Sequence, residues 1–502
     1  MQKFLTLLMV LLLLAPATVM AATVDQLQQQ LDELSSRLDK AERKVATDRI
    51  SFYGDLRVKA DSTKQKVTVA QGMMTTAGFF ALPKAEFDET NALLYTTRLR
   101  LGMKAHIADN MEFMGRLNMY KNWGDSTGAK VMDSWNAFTM DGTDGGNTNG
   151  DFLRVERAFF VWKDIADSPF YLSIGRRPST YGAPANYREN ELRGGTPSGH
   201  LVNFNFDGIT IGYHLSDLTE VEGQTLRFCY GQGYESQYGN GTLYRETDVK
   251  DTHLGGFNFD VWNTDASWLQ MTLFGVKDVS DGFKGLAVMP MGLAADGSNP
   301  LGYISRLQAS TNIGDMILAG VGGGVSLMNG MNFFGSFGYT RTIANNNFNG
   351  MGFGGLLSDA APIYDAATGA PTGNYAQDGV GKDHNGYSVY VGMQIPAPMG
   401  KLGLEYNYGS EYWIPFTQAQ DDVLGSKLAT RGHVGEVYYI FDINPRAFIK
   451  LGALYYDYQY TGSGSPVGKP QKVADVKDGK AYSAFPVVDT AVDVNLSMTV
   501  KF

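Results

Sequence analysis

The last eleven residues alternate without a break. Val492, Val494, Leu496, Met498, Val500 and Phe502 are apolar, and Asp493, Asn495, Ser497, Thr499 and Lys501 between them are polar. A side-chain period of two belongs to a β-strand with one face for an apolar phase and the other for water. Segments of this kind recur from residue 50 onward, separated alternately by short turns and long polar, Gly-rich loops, which is the pattern of a membrane barrel. After residue 20 no apolar run reaches the roughly 20 residues a membrane helix needs. Strands that enter hydrocarbon must close on themselves, because lipid offers no partner to a sheet edge. The expected fold is all-β, a transmembrane antiparallel β-barrel.

Short links that read as turns are 108–110, 164–168, 216–223, 263–266, 329–330, 396–399 and 442–445. Asn329-Gly330 is the strongest, since a two-residue hairpin turn needs positive φ at both positions. Long connections run over about 61–92, 122–151, 178–206, 233–250, 279–315, 343–385, 411–431 and 461–487. Their strict alternation gives about sixteen strands. The segment 302–312 is assigned to a loop, because a seventeenth strand would put the next loop on the wrong side. Eighteen strands stay open if Val202 to Phe206 or Lys66 to Val69 forms a further hairpin.

Ahead of the barrel, Lys3 and an apolar stretch from Leu5 to Leu14 precede Val19-Met20-Ala21. This is the form of a cleaved signal peptide over 1–21, too short in its apolar part to span about 30 Å of hydrocarbon. Residues 22–48 then carry Val24, Leu27, Leu31, Leu34, Leu38, Ala41 and Val45 at alternating spacings of three and four. Such a seam predicts a short periplasmic coiled-coil helix, marginal alone and so in need of partner helices or of a barrel rim to pack on. The barrel is expected over 49–502.

With the apolar face outward, alternation sorts the charges inward. Arg57, Lys59, Arg98, Arg100, Lys104, Arg116, Arg154, Arg177 and Arg227 are the expected basic pore lining, with His106 beside them. Glu112, Glu156, Glu405, Glu436, Asp489 and Asp493 are the expected acidic lining, with Lys450 among them. A Lys or Arg on the lipid face at mid-bilayer costs roughly 2–4 kcal/mol, so cationic rows on the inner face imply water inside. Because basic residues gather in the first half and acidic ones in the second, a field across the pore is one reading, and mutual ion pairing is the other. Arg157 breaks the alternation of its strand and suggests a bulge. In the 178–206 connection, Tyr181, Tyr187, Arg188, Glu189, Glu191 and Arg193 have the charge and aromatic content of a loop folded in to narrow the pore. The 279–315 connection, with Leu286, Val288, Met289, Met291 and Leu293, is a second candidate for burial.

Other chemistries are thinly supported. The net charge of −10 has no basic tract to offset it, so no nucleic acid is expected as partner. Cys229 is the single cysteine, which allows no internal disulfide and no CxxCH haem site. The histidines lack metal-site spacing. Asp141, Asp144, Asn147, Asn149 and Asp151 read as a polar loop without the terminal Glu of a calcium loop. No metal or cofactor is expected, and no nucleophile, base and acid are grouped as a barrel enzyme would need.

The run Ile50-Ser51-Phe52-Tyr53-Gly54-Asp55-Leu56-Arg57-Val58-Lys59-Ala60-Asp61 after a short coiled coil, with Phe502 at the end, resembles a family of uncharacterised porins of Gram-negative bacteria, including anaerobic metal reducers. Phe502 resembles the terminal signal read by the outer-membrane barrel assembly machinery. The coil-plus-barrel order is also similar to sugar-specific and phosphate-specific trimeric porins, though none of their solute-binding residues can be matched here. The resemblance implies an outer-membrane location and a homotrimer, and the inward charge rows imply passive diffusion of small hydrophilic solutes or ions with a weak lean toward anions. Alternatives are a barrel sheath around a separate multihaem cytochrome in an electron conduit, or a structural or adhesive outer-membrane protein.

Overall fold

The computed structural model describes residues 33–37, 50–69, 85–125, 150–179, 181–194, 198–203, 205–236, 249–281, 285–288, 303–306, 309, 311–345, 347, 355–358, 362–364, 371–375, 381–417, 421–481, 483 and 487–502. Contacts divide the chain into Met1–Ser51 and Phe52–Phe502. In the first unit, residues 33–37 are helical and exposed, Leu34 included. Val24, Leu27, Leu31, Leu38, Ala41, Val45 and the expected signal peptide lie outside the described residues.

In the second unit sixteen strands pair in sequence order and close into a barrel. They are β1 (Ile50–Val69), β2 (Ala85–Ala108), β3 (Met111–Asn122), β4 (Gly150–Trp162), β5 (Phe170–Arg177), β6 (Phe206–His214), β7 (Thr225–Tyr234), β8 (Thr252–Asn263), β9 (Ser267–Ser280), β12 (Asn312–Ser326), β13 (Asn332–Ala344), β16 (His384–Ala397), β17 (Gly400–Gly409), β18 (Gly432–Asn444), β19 (Ala447–Tyr458) and β20 (Val487–Lys501). The remaining strands form separate hairpins in the long connections: β10 (Gly285–Val288) with β11 (Tyr303–Arg306), and β14 (Pro362–Tyr364) with β15 (Pro371–Tyr375). Within the segment 302–312, Tyr303–Arg306 therefore lies outside the wall, as expected, and the wall resumes at Asn312. Neither route to eighteen strands is taken, because Lys66–Val69 belongs to β1 and Val202 makes only an isolated bridge to Phe416.

The wall closes where β1 pairs antiparallel with β20. Gly54 and Phe502 exchange backbone hydrogen bonds of 2.9 and 3.0 Å beside this seam. A side chain at Gly54 would run into the Phe502 ring, which fixes glycine there. Alternation on β20 is as the sequence reads: Val492, Val494, Leu496 and Met498 are exposed, while Asp493, Asn495, Ser497 and Thr499 are buried. Ile211, Phe228, Phe257, Leu273, Phe337, Val391, Tyr406, Val437 and Tyr455 continue the exposed apolar surface around the wall. A continuous apolar belt this wide is satisfied only by a hydrocarbon phase.

Two boundaries differ from expectation. β1 runs on to Val69 and β2 starts at Ala85, so the connection expected at 61–92 is strand for much of its length. Here Lys64 pairs with Asp88 at 2.6 Å on an exposed face. Alternation marks a strand with an apolar outer face; here β1 exposes Ser62, Lys64 and Lys66 while Asp61, Thr63 and Val67 stay buried, and β2 is exposed on both faces over 86–93, so the apolar–polar signal vanishes although the strands continue. The expected 461–487 loop holds a short helix, α1 (Val473–Lys477), with Val473 and Val476 buried against Val487.

Leu496 is 52% exposed and six residues from Phe502, about 20 Å along the strand and, with a tilt of roughly 40°, about 15 Å in depth, near mid-bilayer. Leu496→Lys is expected to lower the unfolding free energy in phospholipid vesicles by about 2–4 kcal/mol. Denaturant titration followed by tryptophan fluorescence reads it, and no loss would contradict the orientation of the wall.

Candidate functional site

The interior face of the closing seam collects charge from both ends of the sequence. In the β1–β20–β19 ladder, Ser497 lies opposite Lys59 on one side and Lys450 on the other. Arg57, Lys59, Arg98 and Arg100 are all buried, as are Glu405, Glu436 and Asp493. A buried guanidinium or carboxylate must be paired, since losing one partner of such a pair costs about 3–5 kcal/mol. The pairing comes largely from two loops that turn into the barrel.

The first is the 178–206 connection. Arg188 Nε donates to Glu436 at 2.9 Å, and its Nη2 to Asp422 at 2.8 Å. Glu189 lies 3.4 Å from Arg57, and Glu191 accepts from Arg100. The Tyr181 ring is buried beneath the guanidiniums of Arg100 and Arg116, 5.1 and 5.5 Å from its centre. Tyr187 stacks on Phe334 with ring centres 4.1 Å apart. Arg193 sits over Trp268 and 3.6 Å from Asp260, which also takes Arg227 at 2.7 Å. All six residues expected in a constriction loop thus pack inward.

The second loop, 411–431, reads from the sequence as an ordinary connection. Its Asp421 carboxylate accepts from Arg57 and from the Tyr120 hydroxyl, and pairs with Arg98 at 3.0 Å. Burial alone would raise this carboxyl, but Arg57 and then Arg98 outweigh it and hold it well below the usual carboxylate range. Asp421 also sits at φ +68°, a left-handed conformation that these contacts must hold in place. From the same loop, Lys427 bridges Glu405 at 2.5 Å and Glu436 at 2.6 Å. Lys450 joins Glu436 more loosely, at 3.4 Å.

Beside this charged arc the interior is dry, which the expectation of a wet lumen did not foresee. Leu201 and Val202 from the first loop and Trp413, Ile414 and Phe416 from the second pack on Leu254, Phe274, Val276, Met316 and Leu318 of the wall. The loops join by a parallel bridge, with Asn203 N–H donating to Phe416 O at 2.5 Å and Phe416 N–H to Leu201 O at 2.8 Å. The wall makes room for them. A side chain at Gly320 would meet Leu201, and one at Gly338 would meet both Trp413 and Leu201. His200, fully buried, is held between Ser336 Oγ at 2.6 Å and Ser388 Oγ at 2.9 Å. Burial pushes its pKa down to about 3, so it is neutral. Arg431 ties the second loop to the last connection, donating to the carbonyls of Trp413 at 3.0 Å and Gly462 at 2.8 Å.

The other expected lining residues are spread along the wall. Arg116 pairs with Glu156, and Arg177 bonds Ser173 at 3.0 Å and Thr210. Glu112 takes Lys104 at 3.0 Å and Lys163 at 3.1 Å near a turn, where Lys104 is partly exposed. Asp489 pairs with Lys477 of α1 at 2.6 Å. Arg154 is exposed. Arg157 has its explanation: β3 pairs Arg116 with Arg157 and Leu117 with Val155, so Glu156 is the extra residue of a bulge. Among the described residues, the basic residues of β1 and β2 and the acidic residues of β17 to β20 lie on the same side of the closing seam and pair through the loops, while Arg116, Arg177 and Arg227 lie farther along the wall. Asp141, Asp144, Asn147, Asn149, Leu286, Val288, Met289, Met291 and Leu293 lie where no side chain is described.

Residues 88–502 match the family described as "Protein of unknown function (DUF3373)". The chain belongs to the DUF3373 family. No curated protein matches it in sequence. Among solved structures it is similar to OmpT of Vibrio cholerae, at 13% identity and a TM-score of 0.40, covering 90% of this chain and 97% of that one. An anion-selective porin from Comamonas acidovorans, at 10% identity and 0.44, is covered over 99% of its length by 90% of this chain. Salmonella typhi OmpF in complex with daunomycin, at 10% and 0.38, matches over 97% of its chain and 89% of this one. Likeness this remote says nothing about what the DUF3373 protein carries.

The first loop's anchoring in this DUF3373 barrel has a pH signature. Burial would raise the Glu191 carboxyl, but Arg100 and then Arg98 overcome it and hold it down to about 2. A depressed carboxylate contributes stability fully present above its ordinary value near 4.5 and lost as pH falls toward 2. Unfolding midpoints measured from pH 7 to pH 2 are expected to drop more steeply below pH 4.5 for the natural chain than for Glu191→Gln. Parallel curves would show that this pair does not anchor the loop.

Proposed function

We propose that the DUF3373 protein is a narrow outer-membrane channel for small hydrophilic solutes or ions, with the 178–206 and 411–431 loops setting its bore. The observation that carries this reading is the radial sorting of the wall: apolar side chains outside, ion-paired side chains inside, and two loops folded inward onto the charged arc. A solute following that arc exchanges hydration water for guanidinium, ammonium, carboxylate and hydroxyl groups. Passage is passive, and discrimination comes from the loops. The apolar plug is the part of the interior that solutes do not use.

We extend the proposal to the rest of the chain. Residues 1–21 act as an export signal, 22–48 as a periplasmic coiled coil that gathers three copies, and Phe502 as the mark by which the assembly machinery inserts the barrel. The role is transport, not catalysis. Filling of the interior by the chain's own loops weighs against a multihaem cytochrome inside the wall. The same filling favours, as a second reading, a structural or adhesive barrel that does not conduct.

Planar bilayers separate the two. Purified full-length protein is expected to give stepwise, ohmic current increments that are blocked by polymers too small to block a wide porin. A variant lacking 411–417 and 198–202, verified as a folded barrel by heat-modifiable gel mobility, is expected to give larger steps. Silence of the natural chain over repeated insertions, with current only in the deletion variant, would favour the non-conducting reading.

A further inference from the structure

Where the two loops meet the closing seam they leave a small cavity of about 20 Å³. A single water needs roughly 10–15 Å³ measured this way, so the space suits one small ion or molecule. Its lining is unbalanced. Arg57, Lys59, Arg98, Arg188 and Lys450 border it, against the carboxylates of Glu189 and Asp421 alone. The acids that complete the pairing lie outside the lining: Asp61 holds Lys59 at 2.6 Å, Asp422 and Glu436 hold Arg188, Asp55 is 3.4 Å from Arg98, and Glu436 reaches Lys450.

Neutral donors complete the arrangement. Ser497, Thr499 and Asn495 also line the space, with Ser497 between Lys59 and Lys450 and Thr499 opposite Arg57 in the ladder. Nε of Arg57 and Nε of Arg98 are buried without a hydrogen-bond partner. Five cationic residues against two acidic ones, two Nε–H groups without a hydrogen-bond partner and the hydroxyls of Ser497 and Thr499 around a space of one-ion size favour an anion over a cation, although each cation also has a carboxylate partner.

We infer that this cavity is a binding site for a single small inorganic anion of the halide class. The inference deepens the channel reading and rests on it for its physiological meaning: the anion site is a step on the conduction path, and it makes the channel prefer anions. Binding itself requires only the folded barrel. Lys450 is the dispensable cation of the set, because Glu436 keeps Lys427 and Arg188 when Lys450 is removed. Ser497 is a position where a carboxylate enters the cavity without breaking an existing ion pair.

The test uses full-length protein in detergent and in planar bilayers, with Lys450→Gln and Ser497→Asp as variants, each verified as a folded barrel by heat-modifiable mobility. Protein-induced broadening of the 35Cl NMR line, competed by bromide, reads binding without any need for current. It is expected in the natural chain, reduced in Lys450→Gln and abolished in Ser497→Asp. In a potassium chloride gradient the reversal potential is expected to lie toward chloride, with a preference of about tenfold that falls at least threefold in either variant. Should Ser497→Asp not fold, Lys450→Gln decides by both readouts. Equal broadening in the natural chain and the variants, or none in any, overturns the anion site even if the channel conducts. Competable broadening in a protein that never conducts upholds the site and sinks the channel reading instead.

Discussion

Everything in this molecule follows from the need of each backbone N–H and C=O in hydrocarbon for a partner within the protein. Sixteen antiparallel strands meet that need only because the first finds the last, β1 on β20, and leaves no edge. That closure does more than satisfy hydrogen bonds. It lays the cationic row of β1 and β2 directly beside the carboxylates and Lys450 of β18 to β20, so residues more than three hundred positions apart become neighbours. Arg98 and Asp421 are such a pair, 323 positions apart in sequence.

The interior then divides by chemistry. On the seam side, side chains that would be intolerable without partners are held by loop carboxylates and Lys427. On the opposite side the same two loops present Leu201, Trp413 and Phe416 to a wall that has glycine where they need space. Each loop is therefore amphipathic in the way a core helix is, with one surface for an ionic partner and one for an apolar partner. Their bridge at Val202 and Phe416 makes them act as a single body.

How much of this could be read in the sequence depended on which physical signal survives in one dimension. The strand number and the turn positions were legible, because a wall between lipid and an inner face imposes alternation on segment after segment. The far ends of β1 and β2 were not, since the exposed face there carries polar Lys64 and Asp88 and the apolar–polar period is lost. The inward turn of the first loop showed in its mixture of Arg, Glu and Tyr. The second loop carries a comparable signal in Tyr412-Trp413-Ile414-Pro415-Phe416, too apolar for a solvated connection, but its length and polar flanks make it look like the other connections. Asp421, Asp422 and Lys427 carry no pattern of their own; their partners Arg57, Arg188 and Glu405 come from other elements, and only closure brings them within reach. The glycines at 320 and 338 carry no signal of their own in the sequence and are seats for Leu201 and Trp413 of the loops.

Both inner loops begin and end on the same rim of the wall, as alternation of turns and long connections requires. Their hold on the interior comes from ion pairs, side-chain hydrogen bonds, the bridge and buried aromatic rings more than from the ladder of the wall. Two kinds of cohesion are thus assigned to different parts of one chain: the cylinder is a frame held by backbone hydrogen bonds, and what it encloses is an insert held by side chains, its ionic part sensitive to pH and salt.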